Sequence, residues 1–245
     1  MDTLVEAASD LNTEVQTAAD PAIWGELALR PTPFAPVVDG EFLTASPLEA
    51  LRNGAGTGIP LLIGSTRDEA RLFLVASGAI DAIDEATLAG AAGAYGLTSQ
   101  DVAIYTANRP AATPGDVLAA VTTDWHFSIP AIRAAEARPA SDTWLYRFDH
   151  PQPNTNGGLG ACHGADVPFV FHTIDNPQTR LRIGETPSRD VADLTHMTWV
   201  SFIAGDAPAW APYTVGERTV AMISDHMVAA DDPASDERHL WTTKI

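Results

Sequence analysis

The sequence LLIGSTRDE at residues 61–69 decides how this chain folds. Its apolar residues form a short run that ends at Gly64, which is typical of a buried strand. Helical spacing of apolar residues follows over 66–76. A strand that leads directly into a helix is the repeating unit of α/β proteins, whose sites lie at the carboxyl ends of the strands. Asp68 and Glu69 stand at such an end.

The rest of the chain continues the alternation of strands and helices. Further strands are predicted at 143–148 and 219–224, and helices at 1–20, 81–107 (two short ones), 114–137 (interrupted near Pro130), 187–204 and 233–242. Long helical segments between strands predict an α/β fold with a parallel sheet. Because three strands leave at least one open edge, we expect that part of the sheet is missing, and the length allows one large domain or two small ones.

Composition and charge exclude several classes of partner. The 245 residues include 32 acidic and 14 basic side chains, and this formal net charge of −18 disfavours binding to nucleic acid or to anionic membranes. The acidic start is unlike a signal peptide, and no apolar run approaches the roughly 18 residues of a membrane span. The single cysteine, Cys162, has no partner for an internal disulfide. We therefore expect a soluble, cytoplasmic protein.

Glu69 has two interpretations at this stage. Thr66 and Glu69 have the spacing of a capping box, in which Glu69 would accept a hydrogen bond from a backbone N–H at a helix start. The alternative is a functional carboxylate at the end of a buried strand. The local pattern alone favours the cap.

A histidine in a glycine-flanked loop is the second feature of interest. His163 follows the strand at 143–148 by about fifteen residues, within the sequence GACHGADVPFVF at 160–171. Glycines allow the backbone to place an imidazole at a chosen angle, and histidine suits general base catalysis because its pKa lies near neutrality. Spacing alone favours an ordinary surface histidine. The other six histidines lack the spacing of metal ligands.

Together, the two motifs follow the α/β-hydrolase chain order of serine, acid and histidine, without the serine. With further segments they resemble the type B carboxylesterases, which include para-nitrobenzyl esterases and cholinesterases. The segments are PVVDG at 36–40, PLLIGSTRDEARLF at 60–73, TDWHFxxP at 123–130, WLYRF at 144–148, HGADVPFVF at 163–171, and WxxFxxGD with WxPY at 199–213. The resemblance covers most of residues 20–245 and implies the C-terminal portion of an α/β-hydrolase fold, as a single partial domain over residues 1–245.

The resemblance implies roles for individual residues in the hydrolysis of carboxylic esters. It makes Glu69 the triad acid and His163 the triad base, although Ala70 stands where the family usually has glycine. Aromatic residues near these motifs are candidates for lining the substrate pocket, namely Phe127, Phe169 and Phe171. The triad mechanism needs no cofactor and no metal, so none is expected.

The family's nucleophile is missing from these residues. A nucleophile elbow reads Gly-x-Ser-x-Gly, and no serine here has glycine two positions before or after it. Cys162 lies between Gly160 and Gly164, but no buried strand precedes it, which argues against a catalytic thiol. The glycines of the oxyanion hole are absent as well. Since loss of the nucleophile removes on the order of a millionfold in rate, we expect this chain alone to be inactive.

Three hypotheses follow from this incomplete set. The chain is part of a longer hydrolase whose gene is truncated or mis-started, or it is the C-terminal half of a split esterase, or it is a non-catalytic interaction protein on an esterase-like scaffold. A completed enzyme would take a small-molecule ester as substrate. Helices without partners would expose apolar faces, which predicts a homo-oligomer or a partner chain that covers them.

Overall fold

The computed structural model describes residues 2–18, 20–30, 33–138, 142–151 and 158–244. It divides into two compact units, Met1–Pro47 and Leu48–Ile245. The first unit contains α1 (Asp2–Ala18), α2 (Pro21–Trp24) and a 3₁₀ helix at Gly25–Leu29. The sheet and the candidate site belong to the second unit. The single domain expected over residues 1–245 stays a prediction.

The second unit is built on a four-stranded mixed sheet in the order β1-β2-β3-β4. Its strands are β1 (Leu61–Thr66), β2 (Thr143–Phe148), β3 (Thr219–Ile223) and β4 (Met227–Asp231). The first three strands are parallel, as the sequence predicts, and Leu61 pairs with Thr143. The fourth strand, which the sequence pattern did not reveal, runs antiparallel to β3. Because β1–β3 are parallel, their carboxyl ends lie along the same edge of the sheet.

Helices occupy most of the remaining described chain of the second unit. They are α3 (Pro47–Arg52), α4 (Arg71–Ala76), α5 (Glu85–Ala94), α6 (Ser99–Ala107), α7 (Pro114–Thr123), α8 (Ile129–Glu136), α9 (Val167–Val170), α10 (Arg180–Ile183), α11 (Arg189–Ala204) and α12 (Ser235–Leu240), with 3₁₀ turns at Ile80–Ala82 and Pro177–Thr179. Local chemistry explains several starts. Thr98 with Asp101, and Thr113 with Asp116, form capping boxes at the beginnings of α6 and α7.

The helix predicted at 114–137 is interrupted. Between α7 and α8, the segment Asp124–Ser128 adopts a π-helical turn. Pro130 lies in the first turn of α8, where its missing N–H costs little, whereas in a continuous helix it would remove a hydrogen bond. The turn is wider than an α-helical one and carries Phe127, a residue of the candidate site.

Alternation along β2 explains why helices cover both faces of the sheet. Leu145 points to one face and packs with Ala131 and Ala135 of α8. Tyr146 points to the opposite face, where its ring meets that of Trp199 on α11 at 4.8 Å between centroids. Side chains of a strand alternate between faces, so β2 is buried on both sides. This produces three layers, with helix on either side of the sheet.

Two apolar clusters form most of the core. One surrounds the ends of β2 and β3 and includes the fully buried Phe148, Phe169 and Ile223. The other joins α5, α6 and α7 to the end of α12 through Tyr105 and Trp241. Within it, the Trp241 indole N–H donates to the Tyr105 hydroxyl at 2.8 Å, so the buried polar atoms are paired.

One face of α11 is apolar and exposed. Met197, Val200 and Ile203, spaced three residues apart, have exposed fractions between 42% and 79%. The association predicted for uncovered apolar faces stays a prediction. None of the helices in the described ranges is long and apolar enough to cross a bilayer.

Candidate active site

Glu69 lies just beyond the end of β1, and its carboxylate is buried. The residue is 5% exposed, and Oε1 accepts a hydrogen bond from the Thr66 backbone N–H at 2.7 Å. This is half of the capping box that the spacing predicts. The other half is missing, because the Thr66 hydroxyl has no partner among the described residues and α4 begins only at Arg71. The backbone bond therefore fixes the orientation of the carboxylate and leaves Oε2 available.

Oε2 of Glu69 lies 2.6 Å from Nδ1 of His163, although the two residues are 94 positions apart. The loop of His163 is also held directly, since the His163 backbone N–H donates to the Glu69 carbonyl at 3.3 Å. Gly164 follows with φ +69°, a conformation that glycine adopts without strain. The structure thus brings together the acid and the base that the sequence nominates, at hydrogen-bonding distance.

The surroundings of His163 raise its pKa. The main cause is the hydrogen bond to Glu69, which favours the imidazolium, while partial burial opposes it. The side chain is 44% exposed, and Nε2 has no hydrogen-bond partner within the described part of the chain. Since Glu69 accepts the Nδ1 proton, the neutral tautomer presents a free lone pair at Nε2. Nε2 is therefore suited to accept a proton from a further group placed beside the ring.

Two phenylalanine rings flank this imidazole. Phe127, on the π-helical turn, has its ring centroid 5.1 Å from that of His163, and Phe73, on α4, is at 5.4 Å. Of the three aromatic residues nominated from the sequence, only Phe127 contacts the histidine ring. Phe169 is fully buried in the core, with its ring centroid 5.2 Å from that of Phe148. Phe171 is 69% exposed. The predicted substrate-binding roles of all three phenylalanines stay predictions.

Phe73 and Asp166 complete the surroundings of the pair and were missed by the sequence reasoning. Phe73 follows Glu69 by four residues within the segment 66–76 where the sequence predicts a helix, and that expected helical spacing could have indicated that Phe73 lies near the acid. Asp166 accepts a hydrogen bond from the Tyr146 hydroxyl at 3.0 Å, and burial raises the pKa of Asp166. Nothing in the local sequence indicates this pairing, because Tyr146 belongs to the neighbouring strand.

Cys162 is a core residue. It is fully buried, and burial raises the pKa of its thiol to about 11, so the thiolate is scarce at neutral pH. A catalytic cysteine needs the opposite environment, exposed and with a depressed pKa. Within the described ranges, no group of three or more His, Cys, Asp or Glu side chains is arranged to hold a metal ion.

A sequence model of the carboxylesterase family matches residues 4–241. The chain belongs to the carboxylesterase family. The resemblance noted in the sequence is therefore confirmed, and the match extends over nearly the whole length of the chain.

Curated relatives of this carboxylesterase chain include an esterase and a hydrolase. It is 31% identical over 217 residues to the para-nitrobenzyl esterase of Bacillus subtilis (strain 168), covering 84% of this chain and 42% of that protein. It is 26% identical over 210 residues to the phenmedipham hydrolase of Pseudarthrobacter oxydans, covering 80% and 41%. The chain thus spans about two fifths of the length of these relatives.

Solved structures of carboxylesterases have the same fold. The crystal structure of the Geobacillus stearothermophilus carboxylesterase EST55 at pH 6.2 superposes with a TM-score of 0.72 at 30% identity, covering 88% of this chain and 47% of that one. A para-nitrobenzyl esterase described as thermophilic superposes with a TM-score of 0.63 at 26% identity. The prediction of a partial α/β-hydrolase fold is confirmed.

Proposed function

We propose that this chain supplies the acid and the base of a Ser–Glu–His triad that hydrolyses carboxylic esters. In this proposal the serine comes from polypeptide outside these 245 residues, and the chain by itself is inactive. The observation that carries the proposal is the 2.6 Å separation between Nδ1 of His163 and Oε2 of Glu69, while Nε2 on the opposite side of the imidazole has no hydrogen-bond partner among the described residues. Family membership supports the reaction class.

Each residue then has a defined task. His163 removes the proton from the serine hydroxyl through Nε2 and returns it to the leaving alcohol. Glu69 accepts the Nδ1 proton, holds the reactive tautomer and stabilises the imidazolium during the reaction. The raised pKa of His163 makes this histidine a stronger base than a solvated one, at the cost of an acid limb displaced to higher pH. Phe127 and Phe73 give the surroundings of Nε2 an apolar character suited to an ester.

The open edge of the sheet offers an attachment point for the missing part. Within the described residues β1 pairs only with β2, so its other edge is free to accept a further strand. The first four residues of β1, unlike most of β2, are only half-buried. A further strand beside β1 and parallel to it would end at the same end of the sheet as Glu69, where the serine is needed.

Ester hydrolysis by the chain alone and by the completed assembly tests the proposal. The assembly is the polypeptide, continuous or in two chains, that joins these residues to a Gly-x-Ser-x-Gly segment encoded beside them. We expect para-nitrophenyl butyrate to be hydrolysed only by the assembly. His163→Ala should lower kcat on the order of a millionfold, and Glu69→Gln about ten-thousandfold.

His172 provides a matched control. Its Nε2 lies 2.7 Å from Asp193 Oδ1, so it forms a His–carboxylate pair at the surface, and His172→Ala should leave kcat unchanged. Hydrolysis by the purified chain alone, abolished by His163→Ala but unaffected by Cys162→Ala, would refute the proposed source of the nucleophile. Full activity of the His163→Ala assembly would refute the triad itself.

A further inference from the structure

Two segments distant in sequence run side by side next to the candidate site. Residues 67–69 continue from β1, and residues 158–163 form the loop that leads to His163. Asp68 donates its backbone N–H to the Ala161 carbonyl at 2.9 Å. The next residue, Glu69, accepts through its carbonyl the bond from the His163 N–H. The Arg71 guanidinium adds a bond from Nε to the Gly158 carbonyl at 2.7 Å. The loop is therefore hydrogen-bonded at Gly158, Ala161 and His163.

The carboxylate of Asp68 makes the side-chain contribution to this fastening. Its Oδ2 accepts a hydrogen bond from the Ala161 backbone N–H at 2.9 Å. Asp68 and Ala161 thus exchange two bonds, one through the backbone and one through the side chain. The Arg67 guanidinium holds the same oxygen from Nη2 at 2.9 Å, which restrains the carboxylate. Hydrogen bonds to a charged acceptor are the stronger kind.

Gly160 leaves the space that this carboxylate fills. It has φ +63°, and a Cβ at this position would overlap Asp68 Oδ2 and come within 2.9 Å of its Cγ. The loop backbone and the Asp68 side chain are therefore in close contact. Gly158, in the same loop, has φ +68° but its Cβ would meet nothing closer than 3.6 Å. The two glycines share the same backbone conformation and differ in the space around them.

We propose that Asp68 is a positioning residue whose carboxylate holds the 160–163 loop against the end of β1 and so sets the His163–Glu69 hydrogen bond. Asp68 does not touch the reacting atoms; it acts through Ala161 and the backbone that carries the imidazole. The catalytic meaning of this role rests on the proposed triad. The geometric role does not, and it can be measured in the chain as it stands.

Asp68→Ala and Asp68→Asn separate positioning from charge. Both remove the negative charge, but only asparagine keeps an oxygen that can accept the Ala161 N–H. We expect Asp68→Ala to lower the His163 pKa, followed by NMR of the imidazole, and to speed amide exchange at Ala161 by roughly tenfold. Asp68→Asn should retain most of both wild-type values. Asp81→Asn, which removes an exposed acid from another segment, should change neither.

Other outcomes would overturn the proposal. If Asp68→Asn shifts the His163 pKa as much as Asp68→Ala does, the effect is one of charge, and if neither variant shifts it, Asp68 has no influence on the pair. Should Asp68→Ala fail to fold, Gly160→Ala carries the test, because its Cβ would displace the carboxylate. Gly160→Ala should lower the His163 pKa, whereas Gly158→Ala, with equal backbone strain and more space, should not. Equal effects of the two glycine variants would also overturn it.

Activity of the completed assembly distinguishes this inference from the proposed function. If Asp68→Ala lowers both the His163 pKa and kcat, and Asp68→Asn restores both, the two proposals stand together. If the His163 pKa falls while kcat stays unchanged, the positioning role holds and the triad fails. Hydrolysis that is insensitive to His163→Ala also excludes the triad, and it leaves the NMR result for Asp68 intact.

Discussion

The coupling between Glu69 and His163 can be measured by a double-mutant cycle. We consider Glu69→Gln, His163→Gln and the double variant. Glutamine at position 69 keeps an oxygen for the Thr66 N–H, so the change is directed at the bond to His163. The cycle then reports the interaction between the two side chains and cancels what each contributes separately.

The structure sets the expected magnitude. Hydrogen bonds to charged groups contribute about 1.5–3 kcal/mol to stability. Glu69 is buried, but the His163 side chain is 44% exposed, and screening by water reduces the value toward that of surface pairs. We therefore expect a coupling free energy of about 1 kcal/mol with the imidazole protonated, which is roughly a fivefold change in the folding equilibrium.

The pH dependence follows from the direction of the pKa shift. The pKa of His163 is higher in the folded state than in the unfolded chain, where it is about 6.5. Its contribution to stability is therefore complete below the unfolded value and is lost as pH rises through the folded value. The coupling should be largest at about pH 5.5 and smaller at about pH 9.

Urea denaturation followed by tryptophan fluorescence measures these free energies. Five of the six tryptophans lie in the unit that contains the pair, so the signal reports on this unit. The free energy of unfolding of each variant would be determined at both pH values. A coupling that is absent at the lower pH, or that grows toward the higher pH, would refute the reasoning from the 2.6 Å bond.

Three further predictions concern the core. Tyr105→Phe removes the hydroxyl that donates to Asp124 at 2.5 Å, and should lower the free energy of unfolding by about 3 kcal/mol in urea denaturation. Cys162 should not react with a thiol reagent such as DTNB in the native chain, and should react fully in urea, because it is buried with its pKa raised to about 11. Gly64→Ala should destabilise the sheet by about 3 kcal/mol or more, measured by circular dichroism during thermal unfolding, since its Cβ would lie 2.5 Å from Tyr146 Cδ1 and overlap the Tyr146 carbonyl oxygen.

Each of these predictions has a contrasting result. A Tyr105→Phe variant as stable as the wild type would mean that the Tyr105 hydroxyl contributes nothing to the free energy of unfolding. Rapid labelling of Cys162 without urea would contradict its burial. Gly90→Ala, at a helical glycine with no atom near its Cβ, is the control for Gly64→Ala, and equal stability of the two variants would contradict the close approach of β1 and β2.

The elements that could be predicted from the sequence are those with a local cause. The predicted strand at 143–148 coincides with β2, because aromatic and β-branched residues there follow the alternation of a buried strand. The predicted helix at 187–204 corresponds to Arg189–Ala204, which ends at Gly205 in the left-handed conformation. β4 was missed because Met227–Asp231 is a mostly exposed edge strand, and its pairing with β3 provides the stabilisation that its composition does not indicate.

The sequence by itself determined the family, the order of the motifs and the two residues nominated as acid and base. Only the tertiary structure decided that Glu69 and His163 meet at 2.6 Å, that Phe73 and Phe127 flank the imidazole, and that Asp68 holds the loop. The physical reason is the separation along the chain between the residues that interact. Periodicity and capping act within a few residues along the chain, whereas these contacts arise where parallel strands place the ends of distant segments along one edge of the sheet.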